Sequence, residues 1–211
     1  MSEIRNGVRH VLSVSSAYNT LQAILGAYRW RKQAIERYVV PELSPNAHVI
    51  DIGCGTGEVV SFLPQGISYR GFDRNPNYIA HAASKFSKLT PNVIFSCEEL
   101  SSQNSDQQTK ANVILALGLL HHLNDDECVQ LFKLARSLLV PEGFFLTLDP
   151  VYLATQSPLA RWIISKDRGT EVRASGEYIN LALTAMNEVQ VEIDNAPLRV
   201  PYSGIIMKCR V

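Results

Sequence analysis

The stretch Val49-Ile50-Asp51-Ile52-Gly53-Cys54-Gly55-Thr56-Gly57-Glu58 carries most of what this chain reveals about itself. The run His48-Val49-Ile50-Asp51-Ile52 is short, apolar and rich in β-branched residues, which reads as a buried strand. Three glycines at alternate positions follow it, where a strand should give way to a helix. Glycines there permit a tight turn and let a ligand approach bare backbone. The N-terminus of the helix expected beyond offers unpaired N–H groups and a positive dipole end, which favour an anionic group such as a carboxylate. A turn of this kind can also be a tight connection without a ligand. Asp73, at the end of the next apolar run, weighs against that, because a carboxylate so placed can accept both hydroxyls of a ribose.

Further runs of the same kind extend in both directions. Ser68–Phe72, Asn92–Phe95, Asn112–Leu117 and Gly143–Leu148 read as strands, the last ending at Asp149-Pro150. Helical periodicity falls between them. Residues 16–40 place Leu21, Leu25, Tyr28, Lys32 and Ile35 on one face, with Pro41 and Pro45 ending the helix. Residues 76–89 begin with Pro76, suited to a first helical turn. Residues 125–139 show Asn124 and Glu127 at capping-box spacing and a stripe of Cys128, Leu131, Phe132, Ala135, Leu138 and Leu139. Pro141-Glu142-Gly143 turns the chain into the next strand, and the polar stretch 101–110 reads as a solvated loop. After Asp149 the alternation breaks. Residues 151–176 are mixed, with Pro158, Gly169 and Gly176; a helix over about 177–187 and strands at Val189–Ile193 and Gly204–Arg210 close the chain. Strands alternating with helices imply right-handed βαβ units, hence an α/β fold with a mostly parallel sheet, helices on both faces and an antiparallel C-terminal edge hairpin.

Composition narrows the field. The chain has 211 residues, zero formal net charge, 46% apolar and 19% charged residues. That fits one domain, or one domain with a small cap, and argues against disorder. The charge balance lacks the basic excess of a general nucleic-acid binder. The opening Met1–Gly7 has no apolar core of a signal peptide. The longest apolar stretch, Val113–Leu120, falls far short of the ~20 residues a membrane-spanning helix needs. Four widely spaced cysteines, Cys54, Cys97, Cys128 and Cys209, read as free thiols in a reducing compartment, so a cytoplasmic location is expected.

The ordered motifs carry a resemblance. Asp51-Ile52-Gly53-Cys54-Gly55-Thr56-Gly57 resembles the first motif of class I S-adenosylmethionine-dependent methyltransferases, and Gly71-Phe72-Asp73 the second. Ala116–Leu123 resembles their segment after the fourth strand, and Leu139–Phe145 their turn into the fifth. The resemblance covers about residues 48–150 and implies a Rossmann-like doubly wound sheet of seven strands, S-adenosylmethionine as cofactor with S-adenosylhomocysteine as its product, and a methyltransferase domain over the whole chain. It implies that Asp51 faces the methionine amino group, that Gly53, Cys54, Gly55 and Gly57 line the methionine, and that Asp73 holds the ribose. Arg74, Glu98 or Glu99, and Leu100 would border the adenine, and Leu117 and Gly118 would supply backbone beside the cofactor. The N-terminal region, residues 1–40, resembles a helical lid over the cofactor, with contacts from Gln22 and Gly26.

Methyl transfer from a sulfonium is a direct displacement, so the protein need only align the partners and, for some acceptors, remove a proton. The strand ends offer His121, Asp149 and Tyr152 for this chemistry. His121 and His122 can also brace their loop, and Asp149 can cap the turn before Pro150. Adjacent histidines point in different directions and lack a third ligand at suitable spacing, so no metal site is expected. Residues 151–187 are expected to form a substrate cap. Arg161, Arg168 and Arg173 there suit a carboxylate or phosphate, although a solvated surface is the plainer reading. No Asn/Asp-Pro-Pro-Tyr sequence follows the fourth strand, which lowers nucleic acid as a substrate and leaves a small-molecule oxygen or nitrogen as the acceptor. A nicotinamide-dependent oxidoreductase and a non-catalytic nucleoside-binding module remain as alternatives. The glycines are too close for G-x-G-x-x-G, and a carboxylate at Asp51 would repel a pyrophosphate while attracting an ammonium. Sequence alone leaves the oligomeric state open.

Overall fold

The computed structural model describes residues 26–86, 92–105, 108–167, 169–195 and 198–211. Its centre is a sheet in the order β3-β2-β1-β4-β5-β8-β7, with a short β6 paired to β5. The strands are β1 (His48–Ile52), β2 (Ser68–Phe72), β3 (Val93–Ser96), β4 (Ala111–Leu117), β5 (Leu139–Tyr152), β6 (Arg173–Ala174), β7 (Glu188–Asp194) and β8 (Gly204–Arg210). Neighbours run parallel except β8, which lies between β5 and β7 and runs against both. The expected closing hairpin is therefore present, with β7 as the edge. The order reverses between β1 and β4, and in open sheets of this kind a crevice for ligands forms at that point, beyond the C-terminal strand ends.

Alternate residues of the central strands feed two cores. Ile50, Ile114 and Phe145 pack under helices α3 (Asp125–Leu138) and α5 (Ser175–Leu183). Val49, Val113 and Leu146 pack with Trp30 of α1 (Ala27–Ala34) and Ile164 of α4 (Pro158–Ile164). Helix α2 (Pro76–Phe86) follows β2, and residues 87–89 of the expected helix lie outside the described residues.

Several elements differ from the sequence reading. The N-terminal helix buries Trp30, Ala34, Ile35 and Val39, whereas Tyr28 and Lys32 face outward. After α1 the helix widens into a π-turn over Ile35–Val39, which brings Ile35 and Val39 inward together. It then tightens into a 3-10 turn that takes Pro41 into its first turn, so this proline does not end it. Beyond the glycine turn stands only a 3-10 turn, Glu58–Phe62, because Pro64 leaves no room for a longer helix. β5 runs through Asp149-Pro150, with Pro150 opposite Gly204 of β8. Near its start Leu139 pairs with Ala111 and Phe144 with Val113, so the expected turn at Pro141-Glu142-Gly143 is a bulge within the strand.

The segment expected as a cap divides in two. Helix α5 buries Tyr178 and Ala182 in the core it shares with α3, so it belongs to the layer covering the sheet. Helix α4 buries Ala160 and Ile164, the latter in the core it shares with Trp30, while Gly169 beyond it packs against His121. Among the described residues, no helix is long and apolar enough to cross a membrane.

Helix α3 shows how local sequence fixes an element. Asn124 Oδ1 accepts from the Glu127 N–H at 2.9 Å, and Glu127 Oε2 accepts from the Asn124 N–H at 2.9 Å. The two orphan donors of the first turn are thus satisfied reciprocally. Asn124→Ala is expected to lower stability by about 1 kcal/mol, which urea denaturation read by circular dichroism will measure.

Candidate active site

The glycine turn is built on the end of β2. The Phe72 carbonyl accepts from the Gly53 N–H at 2.8 Å and the Cys54 N–H at 3.0 Å. Asp73 Oδ2 accepts from the Gly55 N–H at 2.9 Å, and its Oδ1 from the Asn75 N–H at 2.8 Å. Gly53, Gly55 and Gly57 have φ of +74°, +56° and +73°, the left-handed region that side chains rarely adopt. A Cβ on Gly57 would also stand 2.7 Å from the Phe95 ring, while one on Gly55 would meet nothing within 4 Å. The turn is therefore packed tightly at Gly57 and open at Gly55.

Asp51 lies within β1 and is buried. Tyr69 Oη donates to its Oδ2 at 2.6 Å. Burial pushes the Asp51 carboxyl up to about 7, against the Tyr69 hydrogen bond, with the Asp73 charge adding to the rise and Arg31 opposing it. Arg31 of α1 pairs with Glu58 at 3.1 Å and so joins the N-terminal helix to the residue after the glycine turn. Tyr69 and Arg31 were not among the candidates drawn from sequence. Tyr69 stands two residues before the Gly71 that pairs with Asp51, and this same-face spacing is the signal that points to it.

Around the neighbouring strand ends, Arg74 pairs with Glu99, and Glu98 accepts from Asn104 Nδ2 at 3.2 Å. Glu98 and Glu99 are exposed, whereas Leu100 is buried. Leu117 and Gly118 close β4, the Gly118 N–H donating to the Leu148 carbonyl at 2.7 Å. Gly26 caps the start of α1 and lies against Leu198 and Arg199 of the β7–β8 connection. Gln22 and Arg168 lie outside the described residues.

At the end of β5 the geometry differs from a free acid–base pair. Asp149 is fully buried. Its Oδ1 meets His121 Nδ1 at 2.7 Å and accepts from the His121 N–H at 3.2 Å. On the other side, His121 Nε2 lies 3.6 Å from Asp167 Oδ1, and Asp167 Oδ2 accepts from Tyr202 Oη at 2.8 Å. Burial opposes charge on His121, yet its hydrogen bonds to Asp149 and Asp167 push the imidazole up to about 9. An imidazolium has no lone pair with which to accept a proton. His121 thus braces the residues above it, one of the two roles the sequence allowed it, and the His122 ring lies 4.2 Å from its own. Gly169 packs so closely that a Cβ there would fall 2.0 Å from the His121 ring, and the Glu171 N–H donates to the His121 carbonyl at 3.0 Å. Asp167 and Gly169 were missed because a single polar position in a mixed segment gives no periodic signal.

Arg173 also lies away from the expected substrate face. It is buried, and its guanidinium donates to Asp125 and to the carbonyls of Leu120, Leu123 and Glu171. With its donors taken by the chain itself, it staples the loop after β4. Tyr152 and Arg161 do come together, the guanidinium stacking 4.7 Å above the ring. Among the described residues, no cluster of His, Cys, Asp and Glu suits a metal ion.

The raised His121 value has a consequence for stability. A group whose folded value exceeds its unfolded one, ordinarily 6.5, contributes fully below the unfolded value and loses that contribution as pH rises towards about 9. The melting temperature is expected to fall between these limits in the intact protein. His121→Gln should melt lower at pH 6.5 and lack that pH-dependent component; calorimetry across the range checks both.

With this geometry in place, the relatives become informative. The family model described as a methyltransferase domain matches residues 49–143. A reducing polyketide synthase from Preussia isomera is 32% identical over 108 residues, 48% of this chain and 5% of that protein. This chain therefore spans a small fraction of that relative's length. Human N-acetylserotonin methyltransferase, solved with S-adenosylmethionine, aligns with a TM-score of 0.68 at 18% identity over 99% of this chain and 58% of that one. Magnesium protoporphyrin IX methyltransferase from Synechocystis, solved with S-adenosylhomocysteine, gives 0.68 at 14% identity over 95% of this chain and 97% of that one. Residues 49–143 are thus similar to a methyltransferase domain, and the fold as a whole is similar to that of the solved methyltransferases.

Proposed function

We propose that this protein transfers a methyl group from S-adenosylmethionine to an oxygen or nitrogen of a small molecule. The observation that carries the reading is the pair of carboxylates on adjoining strand ends. Asp51 is set within β1 and Asp73 just after β2, with the open side of the glycine turn between them. Their charges suit the two ends of the donor. The methionine ammonium would pair with Asp51, and the ribose hydroxyls would donate to Asp73, whose hydrogen bonds from Gly55 and Asn75 hold it in place. Gly53, Cys54 and Gly57 would line the methionine between them. Arg74, Glu98, Glu99 and Leu100 would border the adenine, Leu117 and Gly118 would flank the cofactor, and Gln22 and Gly26 belong to the segment proposed to cover it.

Bound donor supplies an activated methyl on a sulfonium. The chain's own part is to fix the donor's two ends, exclude water and align an acceptor. Small molecules are favoured because the proteins this chain resembles include a polyketide synthase and N-acetylserotonin and magnesium protoporphyrin IX methyltransferases.

S-adenosylhomocysteine at about a hundred times its Kd should raise the melting temperature by roughly 5–10 °C. Asp73→Ala should remove most of that shift, and thermal denaturation with and without ligand decides it; an intact protein showing no shift overturns the reading. Asp51 adds a pH signature. Its carboxyl must ionise to hold an ammonium, so affinity should fall as pH drops below about 7. Asp51→Asn should bind roughly tenfold more weakly or worse and lose this dependence. The same substitution should remove a cost of folding that grows from about pH 4 to 7, because a carboxyl raised in the folded state favours the folded form when protonated. Titration calorimetry and melting curves from pH 5 to 8 check the two effects separately.

A further inference from the structure

Three observations around the end of β5 bear on the acceptor. The first concerns Arg161. Its guanidinium stacks on Tyr152, and among the described residues no carboxylate forms an ion pair with it. A guanidinium held over a ring keeps its charge and its N–H donors for a planar anion. Tyr152 lies on the same face of β5 as Leu146 and Leu148. Through the register Asp51–Leu115–Leu146, this is also the face to which Asp51 belongs.

The second is the apolar surface of its helix. Trp162 and Leu159, three apart and so on one side of the helix that carries Arg161, are 60% and 54% exposed. Large exposed apolar side chains on the same short helix as a cation with no ion pair among the described residues match a ligand with an apolar body and a negative end.

The third is the engagement of the local acid–base groups. Asp149 is sealed from solvent, and both ring nitrogens of His121 face carboxylates, so neither is a free base at the strand ends.

We infer that the methyl acceptor is an organic oxyanion with an apolar body, which arrives already ionised, sets its charge against Arg161 and needs no proton removed by the chain. This rests on the proposed methyl transfer and narrows its acceptor. The step balances without a co-reactant. A lone pair of the oxyanion forms the new C–O bond to the methyl carbon, the C–S bond breaks, and its electron pair remains on sulfur. A cation and an anion become a neutral thioether and a neutral ester or ether. Arg161 serves as a specificity-determining residue, acting on the acceptor's charge.

The test pairs ionised acceptors with neutral counterparts: benzoate with benzamide, cinnamate with cinnamyl alcohol, and 4-nitrophenolate with benzyl alcohol. Each is incubated with the full chain and S-adenosylmethionine, and products are read by mass spectrometry. Turnover is expected only with the anions. Arg161→Gln should raise KM for them roughly tenfold or more, with kcat changed less than about threefold. Its affinity for S-adenosylhomocysteine should be unchanged by calorimetry. Equal turnover of neutral members, or an unchanged KM in the variant, overturns the inference. So does protein that binds S-adenosylhomocysteine yet neither methylates nor is further stabilised by any of the anions at millimolar concentration. Protein that fails to bind S-adenosylhomocysteine overturns the donor site instead, so the two failures are distinguishable.

Discussion

The proposed donor site depends on one set of hydrogen bonds, those that tie the glycine turn to the end of β2. The Phe72 carbonyl takes two N–H groups of the turn, and Asp73 takes a third together with its own helix-entry N–H. A backbone with several positive-φ residues has many alternatives in the unfolded chain, and these bonds select one. The same bonds orient Asp73, so the group proposed to receive the ribose is aligned before any ligand arrives. Preorganisation of this kind removes an ordering cost from binding. It also holds two carboxylates near one another, and the Asp73 charge adds to the burial that lifts Asp51. A ligand bringing positive charge would offset that repulsion. The buried acid is therefore unfavourable to folding and useful to binding, a division common at ligand sites.

At the other end of the crevice, a buried array performs a mechanical task. Asp149 comes from β5, His121 from the loop after β4, Asp167 from the segment after α4, and Tyr202 from the stretch before β8. Their contacts join pieces of chain that are distant in sequence. Desolvation offsets much of the attraction in such an array, so its contribution to net stability is modest, but it penalises any arrangement that leaves one member unpaired. The Asp149 Oδ2 atom already lacks a partner among the described residues, so the remaining oxygen carries the interaction with His121. Gly169 permits the approach because the His121 ring and carbonyl occupy the space a side chain would need. Asp167, Gly169 and Glu171 are thus anchored to the parallel core through side-chain charge, close packing and one backbone hydrogen bond.

The strands of the parallel core were legible because each is a short apolar run bounded by turn residues, and their order followed from alternation with helices. The capping box of α3 was legible residue by residue, since Asn124 and Glu127 act within one helical turn. The π-turn at Ile35–Val39 was not, because an inserted residue changes the helical phase without a distinctive residue type. Nor was the length of β5. Pro150 suggests an end, yet it lies opposite Gly204 on a strand from the far end of the chain. In the candidate site, Asp51, the glycines and Asp73 sit together in sequence or at matched strand ends. His121, Asp167 and Tyr202 meet only through tertiary folding. The same limit explains Arg173, whose charge suggested a ligand but whose partners are carbonyls of a loop about 50 residues earlier.

This division between local and distant groups matches a division of labour. The donor end is built from strands whose register is fixed on both sides, so its side chains have little freedom. The proposed acceptor end draws Arg161, Trp162 and Leu159 from exposed positions of α4, whose Ala160 and Ile164 are buried, so those positions can change sequence with little effect on the core. The electrostatics of the proposal follow the same line, with Asp51 and Asp73 assigned to the cationic donor and the Arg161 guanidinium over Tyr152 to the anionic acceptor. Displacement of a sulfonium by an oxyanion brings opposite charges together and cancels them. Water stabilises the separated charges better than the neutral products, so a crevice that excludes water favours their cancellation. A protein supporting that reaction needs alignment and dryness more than a base. Strand ends whose register is fixed on both sides bear on the alignment.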